Sequence, residues 1–181
     1  MYAMTMNQKL TALSIGILSP SFRSSYVSQI GLTALRVVAG LVMIHNGLDK
    51  LADIPSFAEA YVKVIGLPFP IFFSYCAAYT ELIAAPLLAF GLLTRPAAAG
   101  LFGTMSVAMY HHVLVAGFSI PYLELSMLYA ACFLFFTLNG AGLFSIDALI
   151  SSWLTAGVEK NSAQVISSLE QSYKTLEEVS K

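Results

Sequence analysis

Residues 30–51 read IGLTALRVVAGLVMIHNGLDKL, an apolar run that carries Arg36 near its start and closes on Asp49 and Lys50. At 1.5 Å of rise per residue, a helix over this run crosses a bilayer core about 30 Å thick. Three further windows have the same character, 71–93, 97–116 and 121–138. The surrounding composition agrees: of 181 residues, 57% are hydrophobic and 10% charged, and the mean hydropathy is +0.76. That apolar surplus is too large for a water-soluble domain. Unbroken apolar blocks, in place of alternating segments of about ten residues, argue against a membrane β-barrel. The expected fold is therefore all-α, a polytopic membrane protein with a four-transmembrane-helix bundle.

Three parts follow from the change of composition along the chain. Residues 1–29 form an N-terminal cytoplasmic or interfacial segment. Lys9 precedes the short apolar LTALSIGILSP, but no A-x-A site follows, so the segment reads as retained rather than as a cleaved leader. Residues 30–150 form the transmembrane domain. Within it, residues 52–70 set Asp53, Glu59 and Lys63 among Phe57, Tyr61 and Ile65, an amphipathic interfacial segment between helices one and two. Residues 151–181 turn polar, with Val165, Ile166, Leu169, Tyr173 and Leu176 at helical spacing among Lys and Glu, and read as an amphipathic tail. Lys9, Arg23, Arg95 and Lys160 fall on one side of the membrane against Lys50 and Lys63 on the other, which places both termini in the cytoplasm. The membrane is a cell inner or plasma membrane, or another energy-transducing membrane.

A net charge of −1 offers no basic face for nucleic acid. The two cysteines, Cys76 and Cys132, lie in apolar windows without CxxC spacing and read as core filling. No metal site is expected, since the adjacent His111 and His112 diverge by about 100° around a helix.

Chemistry must then come from ionisable residues inside the bilayer, each costly unless it faces protein and finds a partner. Arg36, Gly40, Met43, Gly47 and Lys50 share one stripe of helix one, and the glycines admit a neighbouring helix. Glu81 lies deep in the second window on a face of Ala77, Ala78, Ala84, Ala85 and Leu88. Buried there, it must be protonated or paired with a cation such as Arg36 or Lys50. His111 shares a small-residue face with Gly100, Thr104 and Ala108, and Glu124 opens the fourth window. The expected pocket joins Glu81 and His111 as proton-handling catalytic residues with Arg36, Lys50 and Glu124 as substrate-binding residues. His45 and Asp49 project from the opposite side of helix one, so Asp49 is assigned to the surface. Each residue has a structural alternative. Lys50 and Arg36 mark helix ends, Glu81 clamps two helices, and His111 is a satisfied interhelical histidine.

Together these residues resemble the DoxX family of small four-helix membrane proteins. The resemblance is carried by Leu35-Arg36, Gly47 to Lys50 as G-x-x-K, GLP at 66–68, and Glu81 followed by LLAFGLLTR at 87–95. His111, Glu124 and the exit GAGLFSID at 140–147 complete it, with Ala141 where the family pattern has proline. The resemblance implies redox-linked but varied roles. Some members are similar to the small subunit of a thiosulfate:quinone oxidoreductase, others to membrane partners of soluble thiol and superoxide-detoxifying enzymes. On that basis the expected activity, if the chain is an enzyme, is that of an oxidoreductase subunit with quinone as acceptor and with protein partner subunits. No cofactor-binding motif is present, so an exchangeable quinone or a partner supplies the redox chemistry. The competing reading is a non-catalytic structural or assembly subunit of a larger membrane complex, including a pigment-bearing one held through His45 or His112.

Overall fold

The computed structural model describes residues 6–18 and 25–179. Among them every regular element is a helix: α1 (Met6–Leu18), α2 (Tyr26–Ala52), α3 (Ile54–Phe57) continuing into a π-helical turn (Ala58–Val62), α4 (Pro70–Phe90), α5 (Thr94–Ala116), α6 (Ile120–Asn139) and α7 (Ile146–Val179). Helices α2, α4, α5 and α6 are each long and apolar enough to cross a membrane, and the chain is a multi-pass membrane protein. The predicted 52–70 segment forms α3 and the π-turn, while the region downstream of residue 146 forms a single helix across the point where composition turns polar. Helix α1 packs against α7.

The bundle is apolar outside as well as inside. Leu41, Ile83, Leu128 and Leu138 are exposed, as lipid-facing side chains must be, so packing between helices relies on small residues and close contact. The α2–α4 contact shows this. A Cβ on Gly40 would lie 2.7 Å from the Ala85 carbonyl oxygen, and one on Gly47 would lie 2.9 Å from Leu82 Cγ. Phe133, Phe136, Leu88, Leu101 and Met43 fill the centre between the four spanning helices.

Two ends of the bundle can be distinguished. At the turn end, α4 stops in a Schellman arrangement: Gly91 is left-handed at φ 69°, its N–H donates to Leu88 O (3.0 Å) and that of Leu92 to Leu87 O (2.9 Å). Leu93 follows with φ 48°, a conformation costly for a side-chain-bearing residue, and it stands where α5 needs a cap. The cap comes from afar. Asp147, at the start of α7, accepts from Leu93 N–H (2.7 Å) and Thr94 N–H (2.9 Å), and its own N–H donates to Gly91 O. The other end, where α2 runs into α3, holds the hollow described next.

Candidate functional site

At the α3 end, residues of α2, α4, α5 and α6 line a cavity of about 900 Å³. The α3 segment and its π-turn roof it over. Ile54, Ala58 and Val62 turn inward and are buried, while Phe57 and Tyr61 stack at 4.9 Å between ring centroids. Asp53 fixes the start of this roof by accepting from the Ser56 N–H (3.0 Å). The Ser56 hydroxyl and then its amide hold the Asp53 carboxyl below its ordinary range. A π-turn commonly marks a functional position in a helix. Here it presents the Ala60 carbonyl to the bundle, where His111 Nε2 donates to it at 3.0 Å. The Tyr61 ring lies 4.6 Å from that of His111.

The polar floor of the cavity is an ion pair. Lys50 Nζ donates to Glu81 Oε2 at 2.5 Å, with the Glu81 side chain 0% and that of Lys50 18% exposed. Lys50 also lies 5.6 Å from the Phe57 ring centroid, close enough for a cation–π contact. Its ammonium has three donors, so donors remain after Glu81 is served. Glu81 Oε1 and His111 Nδ1 are both buried and have no hydrogen-bond partner. A carbonyl only accepts, so His111 Nε2 carries the proton given to Ala60, and Nδ1 is the ring atom left for a ligand. Buried polar atoms cost free energy unless paired. Two such atoms on a mostly apolar cavity are positioned to meet polar groups brought in from outside.

Of the sequence-predicted residues, the structure brings Lys50, Glu81 and His111 into this one cavity and leaves two outside it. Arg36 shares the angular face of Lys50, but fourteen residues of helix separate them, roughly 20 Å of rise. It lies instead at the turn end, where Nη1 donates to Ala141 O (2.5 Å) and Nη2 to Phe144 O (2.8 Å). A Cβ on Gly91 would lie 2.5 Å from Arg36 Nη1, so the guanidinium fills the space that glycine vacates. Glu124 is exposed on α6, because Leu123 and Ser126 take the inward positions of that turn. Asp49, assigned to the surface, is exposed there and paired with His45 at 3.3 Å, and it also borders the cavity. One further reading is corrected. Cys76, read as core filling, is exposed and borders it too.

Tyr129, one of the tyrosines that the sequence offers either as interfacial packing or as walls of an aromatic-ligand pocket, lines the cavity, as do Asn46 and Thr80, which sequence reasoning did not single out. The placement of Asn46 between the two faces of α2 was the available signal. It also missed Gln29, fully buried at the turn end, whose Oε1 accepts from Leu143 N–H (2.9 Å). Among the described residues no group of three His, Cys, Asp or Glu side chains stands close enough to hold a metal ion.

The family model of DoxX matches residues 31–117, which run from the beginning of α2 to the end of α5 and contain Lys50, Glu81 and His111. An uncharacterized protein of Haemophilus influenzae is 31% identical over 122 residues, covering 64% of this chain and 87% of the relative. No solved structure matches the chain.

Proposed function

Because this chain belongs to the DoxX family, we propose that it is a quinone-linked oxidoreductase component, or the membrane subunit of a redox or detoxification complex, which seats a quinone ring in the Lys50–Glu81–His111 cavity. The observation that carries this reading is Glu81 Oε1, a fully buried carboxylate oxygen without a partner in a chamber large enough for a substituted ring. A quinone bound there would supply two-electron, two-proton redox chemistry.

The residues present fit such a ring. The spare donors of Lys50 bind a ring oxygen while the same ammonium holds Glu81 Oε2 in place. Glu81 Oε1 accepts a proton from, or returns it to, a ring hydroxyl. His111 holds or moves a proton at Nδ1 while Ala60 fixes its orientation through Nε2. Phe57, Tyr61 and Tyr129 supply flat apolar walls. Electrons come from a protein partner, and the charge balance of this chain does not fit nucleic acid. The distribution of Lys and Arg supports an orientation with both termini cytoplasmic, which turns the cavity end outward in a cell inner, plasma or other energy-transducing membrane.

The test is purification in mild detergent with mass analysis of what co-elutes. The expected result is a bound quinone that is lost in Glu81→Gln and in Lys50→Met. Wild-type ligand retention in both variants would overturn the reading. A second reading, a non-catalytic assembly subunit, is favoured by one observation: α7 carries Val158, Val165, Ile166 and Leu169 exposed along a polar helix, apolar side chains suited to a docking partner. Stable co-purification with a large complex and no quinone would favour it.

A further inference from the structure

The unpaired polar atoms of the cavity share one sense. Of the buried side-chain atoms without a hydrogen-bond partner among the described residues, two belong to its lining, Glu81 Oε1 and His111 Nδ1. Both are acceptors. Lys50 serves the other oxygen of Glu81, which leaves Oε1 with its lone pairs, and the proton of His111 sits on Nε2, where it is given to Ala60 O. Three hydroxyls of the lining are meanwhile spent within their own helices: Thr80 donates to Cys76 O (2.7 Å), Thr104 to Leu101 O (2.9 Å) and Ser126 to Leu123 O (3.0 Å). The wall therefore offers two fixed acceptors from two helices, Glu81 of α4 and His111 of α5. Beside them stands Lys50, whose spare donors water can reach.

The two redox forms of a quinone differ in the same respect. A quinone has two carbonyl oxygens, which only accept, whereas its hydroquinone has two hydroxyls, each of which donates one hydrogen bond and can also accept. A quinone in the cavity would take the spare donors of Lys50 and leave Glu81 Oε1 and His111 Nδ1 buried and unpaired, at a cost in free energy. A hydroquinone gives one hydroxyl to each of them and can still accept from Lys50. We propose that the cavity is selective for the reduced form, a hydroquinone whose two hydroxyls donate to Glu81 Oε1 and His111 Nδ1. The proposal rests on the quinone reading of the cavity and adds the redox state that the site prefers. It has an electrochemical consequence. Tighter binding of the reduced form raises the midpoint potential of the bound couple, and a tenfold preference corresponds to about 30 mV for two electrons.

The test uses the full chain in lipid nanodiscs and anaerobic titration calorimetry with two probes, dimethoxymethylbenzoquinone and the corresponding hydroquinone, with titrations into empty nanodiscs subtracted. The expected result is about a tenfold or greater preference of wild type for the hydroquinone, the worth of one net hydrogen bond to a charged group. Glu81→Gln reverses the sense of one partner: the amide carbonyl takes the bond from Lys50 and the NH2 group faces the ligand. Both forms should weaken there, the hydroquinone by about ten times more, so that the preference falls to about parity. His111→Phe keeps a flat ring but removes the other acceptor, and it should likewise weaken the hydroquinone more than the quinone. A wild type that binds both forms equally, or the quinone more tightly, overturns the selectivity while leaving the quinone reading in place. A hydroquinone preference that persists unchanged in both variants overturns it as well, since the two acceptors would then not be its cause. If neither form binds wild type, both readings fall.

Discussion

Lys50 of α2 and Glu81 of α4 meet with Nζ 2.5 Å from Oε2, and the carboxylate is fully buried while the ammonium keeps a path to the cavity. The pair is therefore asymmetric: removal of either partner has a different consequence.

Lys50→Met strands a buried carboxylate and should cost about 3–5 kcal/mol of stability, whereas Glu81→Gln should cost less, since the partly exposed ammonium can be solvated through the cavity. The double variant Lys50→Met with Glu81→Leu should return close to wild-type stability, because a buried ion pair replaced by apolar groups of similar size is often neutral. Thermal unfolding of the three proteins in detergent checks this. A double variant as unstable as Lys50→Met would show that the charge itself is not the cause.

Arg36 serves the turn end and not the cavity, so stability and ligand binding should separate there. Arg36→Met removes two charged donors from Ala141 O and Phe144 O, each hydrogen bond of this kind contributing about 1.5–3 kcal/mol. Asp147→Ala uncaps α5 and should cost about 1–2 kcal/mol. Both variants should show lowered melting temperatures with unchanged affinity for any ligand of the Lys50–Glu81 cavity. A selective loss of affinity in stable Arg36→Met protein would restore Arg36 to the site.

Two glycines of α2 predict opposite outcomes. At Gly40 a new Cβ meets the Ala85 carbonyl at 2.7 Å, a backbone atom that cannot swing aside, while at Gly31 nothing lies within 4 Å. Gly40→Ala should destabilise by about 1–3 kcal/mol through overpacking. Gly31→Ala should be neutral or stabilise by about 1 kcal/mol through helix propensity. Parallel melting curves would decide, and equal shifts would contradict the close α2–α4 approach.

Asp53 ties the roof of the cavity to pH. Its carboxyl, held below its ordinary value of 3.8 first by the Ser56 hydroxyl and then by the Ser56 amide, contributes order above that ordinary value. The contribution is lost as pH falls through the lower folded-state value. Hydrogen exchange at Ser56 and along α3 should therefore be faster in Asp53→Ala than in wild type near neutral pH. The two should converge in strong acid; a difference that persisted there would assign the effect to something other than the carboxylate.

The four spanning helices were legible because a bilayer imposes one length and one composition on every segment that crosses it, and windows at 30–51, 71–93, 97–116 and 121–138 met both. Helical periodicity likewise placed Gly40, Gly47 and Lys50 on an inward face of α2 and Glu81 on an inward face of α4. Periodicity reports an angle around one helix, however, and is blind to which end of a neighbouring helix lies alongside. That is why Arg36 was grouped with Lys50 although it belongs to the opposite end, and why Glu124, close to the cavity in depth, proved to point away from it.

By itself, then, the amino-acid order determined that this chain is a multi-pass helical membrane protein of the DoxX kind, since those properties depend on local composition and on residues near one another in the chain. Only the tertiary structure decided that Asp147 caps a helix that begins 53 residues earlier, that Ala60 in a π-turn orients His111, and that the Thr80 methyl packs close against Gly100. Each of these joins residues far apart in sequence through a backbone atom or a missing side chain, and neither leaves a periodic or compositional mark.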